Sequence, residues 1–317
     1  AIVEFFIYLW FFTKRYLENK HKFKISENRY LPIKKIRSFS IYNWLFKSGQ
    51  VFREYSVDQF VISYFLNTTQ VAFYGVAIAI PSMMRSFSPG RMLQGVLLPT
   101  FVKKFEKKGT IDSVLPGYLL LQKVNLAILM PLGIGFFIFV PEIISIIYSD
   151  TYLPAVNSAR ILIGLGIIQG LADPFYMISQ SVEKANLVFY SSFFGFFNLG
   201  ANLVLVPILG IEGAAIATGS IGILIYIFFL IVYKYFFGIK FPLMVHTIGL
   251  IILNFSPSLA LLYIAKMSDI FSFLGIICII LSICTYFLSM YYNSIFDNKE
   301  WELLNNKLSN KITEKWT

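Results

Sequence analysis

Charged residues are scarce in this sequence. They make up 14% of the 317 residues, while 57% are hydrophobic and the mean hydropathy is +0.68. A typical soluble domain has about 25% charged residues, and the 33 Phe and 19 Tyr exceed what one soluble core could bury. These proportions exclude a soluble enzyme. They predict an all-α integral membrane protein, because a helix satisfies its own backbone hydrogen bonds in lipid.

Cysteine and histidine are also scarce, with two of each. Cys278 and Cys284 are six positions apart, so on a helix they point about 120° apart, which argues against a disulfide or a shared metal. His21 and His246 have no Cys, His or carboxylate side chain at the spacing of a metal site. The sequence therefore predicts neither a metal site nor a cofactor.

The chain begins at Ala1 with an apolar segment, residues 1–12, that is shorter than the roughly 20 residues of a membrane-spanning helix. We expect this segment to be the end of a transmembrane helix whose start is missing, and the chain to be part of a longer protein. Eight complete spans should follow, of which the first two are the weakest because they contain charges. They are expected at Phe39–Leu66, Val71–Leu98, Val114–Val140, Ala155–Val182, Leu187–Val206, Gly213–Tyr233, Leu243–Ala265 and Ile270–Tyr292.

The loops between these spans differ in their content of Lys and Arg. Twenty cations lie in loops on one side of the membrane, and only Arg160 and Lys266 lie on the other. This bias marks the cation-rich side as cytoplasmic, and the net charge of +10 then faces anionic lipid headgroups. Nucleic-acid binding is another meaning of a basic chain, but no basic patch here belongs to a soluble domain. The opposite loops are too short for a catalytic domain.

Polar and charged residues inside the first half of the spans fall on defined helical faces. Such residues are costly in a bilayer and usually face a cavity or a partner. The first span places Asn43, Lys47, Gln50, Glu54 and Asp58 within roughly 80° of one another, whereas Arg53 points elsewhere. The second span carries Arg85 and Arg91, with Pro89-Gly90 between them breaking or kinking the helix. The third carries Lys123.

The fourth span has the narrowest polar stripe, formed by Gln169, Asp173, Tyr176 and Gln180. Pro174 follows Asp173 and frees a backbone carbonyl one turn earlier. Two explanations remain for the whole set: buried ion pairs that hold helices together, or a water-filled polar cavity. The cavity explains more, because the stripes include unpaired amides. On the fifth and sixth spans, small and polar residues favour helix packing over a ligand site. These residues are Ser191, Gly195, Asn198 and Asn202, and then Ala214, Thr218 and Gly222.

Three segments resemble one family of membrane transporters. Residues 141–155, read Pro-Glu-Ile-Ile-Ser-Ile-Ile-Tyr-Ser-Asp-Thr-Tyr-Leu-Pro-Ala, are similar to the outer loop of polysaccharide-unit flippases. Residues 206–218, which contain Gly-Ile-Glu-Gly-Ala-Ala, are similar to a later link of the same family. Val57-Asp58-Gln59 followed by residues 71–77 resembles a further pair of motifs, with Ala72 where glycine is usual. The family is the oligosaccharide-lipid flippase branch of the multidrug/oligosaccharidyl-lipid/polysaccharide exporter superfamily.

The resemblance implies two pseudo-symmetric six-helix lobes around a cleft, with two further helices at the C-terminal end. It implies that this chain supplies the second lobe and the two additional helices, and that the N-terminal lobe of the same protein is a partner missing from the chain. The implied divisions are the truncated helix end 1–12, the basic cytoplasmic loop 13–38, the six-helix lobe 39–240, two transmembrane helices 241–292 and the cytoplasmic tail 293–317. The tail places Trp301, Leu304, Leu308 and Ile312 on one face, which fits a helix lying on the inner leaflet or a solvated helix.

The resemblance also implies a function: movement of undecaprenyl-diphosphate-linked sugars across the bacterial plasma membrane by alternating access. The expected partners are this lipid-linked oligosaccharide and bilayer lipids, with no nucleic acid. The expected substrate-binding residues are Lys47, Arg53, Arg85, Arg91, Lys123 and Gln169. Glu54, Asp58 and Asp173 are expected to orient the cations or to bind a coupling ion. Three alternatives are small-molecule or multidrug export, a membrane-embedded glycan polymerase or transferase, and a non-catalytic scaffold.

Overall fold

A computed structural model describes Trp10, Lys14 and residues 33–50, 55–238, 245–268, 272–293 and 296. Within these ranges, the side chains of residues 33–36, 39, 48, 50, 236, 237, 245 and 246 lie outside the description. Two compact units are distinguished, Ala1–Ile41 and Tyr42–Thr317. In the first unit, the Lys14 Nζ atom lies 5.1 Å from the centre of the Trp10 ring. The contacts and sites described below belong to the second unit.

Every regular element among the described residues is helical, which confirms the predicted all-α class. Two short 3-10 turns, Ile111–Ser113 and Asp150–Ala155, accompany the α-helices. The α-helices are α1 (Ile33–Gln50), α2 (Tyr55–Phe65), α3 (Thr68–Ser86), α4 (Pro89–Met92), α5 (Gln94–Lys108), α6 (Leu115–Ile147), α7 (Val156–Ser181), α8 (Ala185–Ser191), α9 (Phe194–Leu209), α10 (Ile211–Phe237), α11 (Val245–Met267) and α12 (Phe273–Tyr292).

Six segments of the described chain are long and apolar enough to cross a membrane, and they correspond to the predicted third to eighth spans. They are Leu115–Ile147, Asp150–Ser181, Ala185–Leu209, Ile211–Tyr235, Thr247–Met267 and Phe273–Tyr292. The second predicted span differs from the structure, because α3 ends at Ser86 and the chain continues through α4 into α5. The break expected at Pro89-Gly90 is present, since Pro89 is the first residue of the new helix α4.

The central helix of the second unit is α7, which packs against α3, α5, α6, α8 and α10. The remaining described helices pack around it: α2 contacts α3, α9 and α10, whereas the α11–α12 hairpin packs against α6. The close approach of α10 to α7 depends on glycine. A Cβ atom on Gly222 would lie 2.8 Å from the Gln169 Cβ, and one on Gly219 would lie 2.3 Å from the Leu165 Cδ1. The sequence prediction of close packing on this helix therefore agrees with the structure at Gly222.

Side chains of other helices satisfy backbone carbonyls that prolines free within the long helices. A proline inside a helix removes the hydrogen bond to the carbonyl four residues earlier. Tyr286 Oη donates to Ala127 O, the carbonyl freed by Pro131, at 2.7 Å. Arg160 Nε donates to Phe137 O, freed by Pro141, at 3.2 Å. These contacts give both freed carbonyls a donor, and they fix α7 and α12 to α6.

Lys266 contacts the same region of α6. With Arg160, it is one of the two cations on the membrane side whose loops contain few Lys and Arg residues. Its Nζ donates to Ile138 O at 2.7 Å and lies 3.5 Å from Glu142 Oε1. The two cations on this side, Arg160 and Lys266, therefore both bind backbone carbonyls just before Pro141. On α12, Cys278 is buried and Cys284 is exposed, and both are free thiols.

Candidate functional site

The Asp58 carboxylate on α2 has no exposed surface and accepts four hydrogen bonds from neutral side chains. Tyr74 Oη donates to Oδ2 at 2.8 Å and Thr218 Oγ1 donates to the same atom at 2.5 Å. Asn198 Nδ2 and Asn202 Nδ2 donate to Oδ1 at 3.0 Å and 2.8 Å. We call Asp58 and these four residues the Asp58 cluster. It joins α2, α3, α9 and α10 around one buried acid, with no cation among its described contacts.

The Asp58 cluster also presents oxygen atoms that could accept a further bond. Asn202 Oδ1 is buried and has no hydrogen-bond partner within the described chain. Asn198 Oδ1 accepts from Asn202 Nδ2 at 3.1 Å. The sequence interpretation of Asn198, Asn202 and Thr218 as packing residues was incomplete, because all three bind the acid. The signal was available in part: two amides one turn apart on an apolar helix require a polar partner.

Arg85, near the end of α3, is a second buried charge, with 8% of its surface exposed. Nη1 donates to Gln169 Oε1 at 2.7 Å, and Nη2 donates to the Tyr55 hydroxyl. The guanidinium also lies over the Tyr55 ring, with its Cζ 5.8 Å from the ring centre. Its Nε is buried without a hydrogen-bond partner in the described part of the chain. The described partners of the Arg85 guanidinium are thus neutral, and its Nε remains available as a donor.

A cavity of about 400 Å³ is lined in part by Gln169, the residue whose amide oxygen accepts a hydrogen bond from Arg85. It is lined by Phe46, Gly90, Arg91, Gln94, Gln169, Asp173, Pro174, Tyr176, Met177 and Gln180. The four residues of the predicted polar stripe on the fourth span therefore line one cavity. Arg91 Nε donates to Asp173 Oδ2 at 3.0 Å, with 47% of the Arg91 side chain and 18% of that of Asp173 exposed. We call this space the Arg91 cavity.

Two buried amides of α6 bind backbone groups beside the Arg91 cavity. These groups lie at the helix interruption before Arg91 and at the carbonyls near Pro174. Asn125 Oδ1 accepts from the Gly90 backbone N–H at 2.8 Å, and Asn125 Nδ2 donates to Gly170 O at 3.4 Å. Gly170 O is the carbonyl that Pro174 frees. Gln122 Nε2 donates to the neighbouring carbonyl, Leu171 O, at 3.1 Å. Asn125 thus connects Gly90, just before Arg91, with the carbonyl of Gly170, one turn before Pro174. These bonds fix the backbone on both sides of the Arg91–Asp173 ion pair.

The structure does not bring all the predicted site residues together. Gln169, Arg91 and Asp173 line the cavity, Arg85 binds Gln169, and Asp58 forms a separate cluster. Lys47 is exposed on α1, and Lys123 is half-buried on α6; neither lines the cavity. Lys47 is exposed and Asp58 is fully buried. Residues 51–54, which join their two helices, lie outside the description, so the polar face predicted for Lys47 and Asp58 stays a prediction.

Several predicted features lie outside the described residues. They are the helix end 1–12 apart from Trp10, most of the basic loop 13–38, the imidazoles of His21 and His246, the Gln50 side chain, Arg53, Glu54 and the tail from residue 297.

Comparisons with known proteins agree with this fold. A family model described as "Polysaccharide biosynthesis protein" matches residues 3–157, just under half of the chain. An uncharacterized membrane protein of Methanocaldococcus jannaschii is 28% identical over 232 residues, which cover 69% of this chain and 42% of the relative. Among solved structures, the lipid II flippase MurJ in an inward closed conformation matches with a TM-score of 0.62 and 17% identity. That match covers 86% of this chain and 57% of the flippase.

The chain therefore spans less than two thirds of the length of each of these relatives. At 17% identity the structural likeness shows the fold alone, which the two proteins share. The chain is a multi-pass all-α membrane protein with the fold of this flippase, and residues 3–157 are similar to a polysaccharide-biosynthesis family.

Proposed function

We propose that this chain forms the C-terminal lobe and two additional helices of a transporter that moves undecaprenyl-diphosphate-linked oligosaccharides across a bacterial plasma membrane by alternating access. The observation that carries the proposal is the Arg91 cavity, which combines an oriented guanidinium with polar amides inside an apolar body. One of these amides, Gln169, also binds the buried Arg85. A lipid-linked saccharide needs such a site, because its diphosphate and sugars are costly in hydrocarbon whereas its tail is not. The reaction is transport without covalent chemistry.

Arg91 and Arg85 are the proposed ligands of the diphosphate. Asp173 contacts only the Nε edge of Arg91 among the described atoms, so the two Nη groups remain to bind phosphate oxygens. Guanidinium groups bind phosphate through paired, charge-assisted hydrogen bonds. Arg85 can join when the Gln169 amide moves, since that amide accepts one of its hydrogen bonds. Lys47, Arg53 and Lys123 remain candidates for guiding the diphosphate along the cleft.

Asp58 is the proposed coupling residue. A carboxylate without exposed surface and without a cation among its described contacts is costly as a bare charge. A proton on Asp58, or a small monovalent cation among the oxygens of Asp58, Asn198 and Asn202, would lower that cost. Because the cluster joins α2, α3, α9 and α10, loss of the proton or cation would change how these helices pack. Glu54 keeps the same proposed role, and Asp173 is assigned to orienting Arg91.

The proposed orientation places the basic loops and the tail in the cytoplasm, and the proposed partner is an N-terminal lobe of the same protein. Single cysteines introduced at Thr68, Thr151 and Gly109, all exposed, test the orientation in a background without Cys278 and Cys284. An impermeant thiol reagent added outside should label the first two positions and not the third. Labelling of Gly109→Cys from outside would contradict the orientation.

Transport is tested in cells that lack the gene and carry variants of the whole protein. Arg85→Ala and Arg91→Ala should abolish surface polysaccharide and raise the level of lipid-linked oligosaccharide, while the matched surface variant Lys234→Ala should complement fully. Arg→Lys should restore transport only in part, because a point charge replaces a planar fork. A blot of membrane abundance separates loss of transport from loss of protein. Normal transport with Arg53, Arg85 and Arg91 all changed to Gln would contradict diphosphate binding, and an unchanged lipid-linked pool in the gene deletion would favour small-molecule export.

A further inference from the structure

Three glutamine side chains line the Arg91 cavity, and the protein leaves much of their hydrogen-bonding capacity unused. Gln94 and Gln180 make no side-chain hydrogen bond within the described part of the chain. Gln169 uses its Oε1 to accept from Arg85, which leaves its Nε2. An amide group both donates and accepts, so the cavity offers several neutral donors and acceptors to a ligand. Gln94 is exposed and Gln169 and Gln180 are half-buried, so a ligand in the cavity can reach their amide groups.

The cavity is polarised along α7. The charged groups lie at the Gln169 and Asp173 end, where Arg91 forms its ion pair and Arg85 binds Gln169. The other end of the stripe, Tyr176 and Gln180, is uncharged. Gln169 and Gln180 are eleven positions apart, about 16 Å along the helix at 1.5 Å per residue. That length exceeds what a diphosphate needs and leaves room for a group attached to it.

Tyr176 gives the uncharged end a fixed aromatic surface. Its ring lies 5.7 Å from the Phe46 ring and 5.3 Å from the Phe229 ring, which it meets edge to face. Phe229 in turn stacks on Phe175 at 5.2 Å. These contacts hold the Tyr176 ring in the wall of the cavity, to which it contributes aromatic surface. A site that combines an aromatic face with neutral amides matches a sugar, which has apolar C–H faces and hydroxyl groups that both donate and accept.

We propose that Gln94, Tyr176 and Gln180 form a saccharide subsite that binds the first sugars of the lipid-linked headgroup, beside the diphosphate held at Arg91. The assignment rests on the proposed function. It adds that one part of the cavity binds the diphosphate and another part binds the sugars. Binding energy from cations is independent of the sugar, whereas hydrogen bonds to hydroxyl groups depend on which hydroxyls the sugar carries. The subsite therefore determines which oligosaccharide is accepted. The volume of about 400 Å³ fits part of a headgroup and lies at the lower end of small-molecule pockets.

The test compares two ligands of the whole protein in lipid nanodiscs. One is undecaprenyl diphosphate, and the other is the undecaprenyl-diphosphate-linked oligosaccharide isolated from the cells that make the protein. Each neutral hydrogen bond to a ligand contributes about fivefold in affinity. The double variant Gln94→Ala/Gln180→Ala should therefore bind the glycosylated lipid about tenfold or more weakly, and undecaprenyl diphosphate as the unchanged protein does. Tyr176→Leu should show the same selective loss.

Gln70→Ala is the matched control, because Gln70 lies on α3 outside the residues that line the cavity. It should bind both lipids normally. Retained binding of undecaprenyl diphosphate shows that each variant is folded. Equal weakening for both lipids, or unchanged binding of the glycosylated lipid, would overturn the saccharide subsite while leaving the proposed transport function intact. If the unchanged protein binds neither lipid, the proposed function itself fails, and the subsite fails with it.

Discussion

Asp58 and Arg91 carry charge inside the same apolar body, but their surroundings differ. Asp58 is fully buried and accepts four hydrogen bonds from neutral side chains on three other helices. Arg91 keeps 47% of its side chain exposed and shares one described hydrogen bond, with Asp173. The Asp58 cluster is thus an integral part of the helix packing. The Arg91 cavity has donors and acceptors left for a ligand.

This difference separates effects on stability from effects on transport. Removing a group whose partners are all buried leaves those partners unsatisfied, and the cost appears in the free energy of unfolding. When a half-exposed group is removed, water can hydrogen-bond to its former partner, so the free energy of unfolding changes little. The loss appears in the affinity for the ligand. The two regions can therefore be told apart by measuring thermal unfolding and transport for the same variants.

Asp58→Ala should have the largest effect on stability. It leaves the donors of Tyr74, Asn198, Asn202 and Thr218 without their acceptor, and we expect a loss of about 3 kcal/mol or more. Asp58→Asn keeps the shape and removes the charge, so it should unfold at a temperature closer to that of the unchanged protein while transport falls more than tenfold. Thermal unfolding in detergent and transport in cells check both. Normal transport by Asp58→Asn would make Asp58 a purely structural residue.

Asn125→Ala should have the second-largest effect on stability, because Asn125 is buried and bridges the backbone at Gly90 and Gly170 beside the cavity. The backbone N–H of Gly90 and the carbonyl of Gly170 would lose their partner. We expect a loss of about 2–3 kcal/mol, with weaker transport because Arg91 follows Gly90. The control is Asn157→Ala, whose exposed amide binds Glu212 and should cost under about 0.5 kcal/mol. Equal unfolding temperatures for the two variants would contradict the bridging role.

Gly222→Ala should rank third. The new Cβ would lie 2.8 Å from the Gln169 Cβ, so α10 and α7 must separate, at a cost of about 1–3 kcal/mol. Transport should fall as well, since Gln169 lines the cavity. Gly200→Ala is the matched control on α9, because its Cβ would meet nothing within 4 Å. That variant should gain about 0.5–1 kcal/mol from the helix preference of alanine. A Gly222→Ala protein as stable as Gly200→Ala would show that the helices can relax at this contact.

Arg91→Ala should have the smallest effect on stability, about 0.5 kcal/mol or less, because the ion pair with Asp173 is partly exposed. Transport by this variant should nevertheless be lost, whereas replacement of a structural residue lowers stability first. Asp173→Asn should keep part of the transport, since it retains an oxygen that can orient Arg91. The measurement is the ratio of transport to membrane abundance for each variant. A large drop in abundance for Arg91→Ala would place Arg91 with the Asp58 cluster as a structural group.

The features that the sequence determined are local. Hydropathy fixed the all-α membrane class and the positions of the last six spans, because about 20 apolar residues in a row have few other stable forms. Pro89-Gly90 placed the break, since proline cannot continue the hydrogen-bond ladder of a helix. The stripe from Gln169 to Gln180 was predictable from the angle of 100° per residue, and all four of its members line the cavity.

The tertiary structure decided which residues contact one another across helices. Arg91 and Asp173 are 82 positions apart, and Asp58 is 140 and 144 positions from Asn198 and Asn202. A helical wheel gives the angles between residues of one helix, but not the direction in which their shared face points. That direction is set by contacts such as Gly222 against Gln169, which bring α10 and α7 together. Lys47, an equally good candidate by sequence, lies exposed. Asp58 lies buried, because three other helices place the donors Tyr74, Asn198, Asn202 and Thr218 around it.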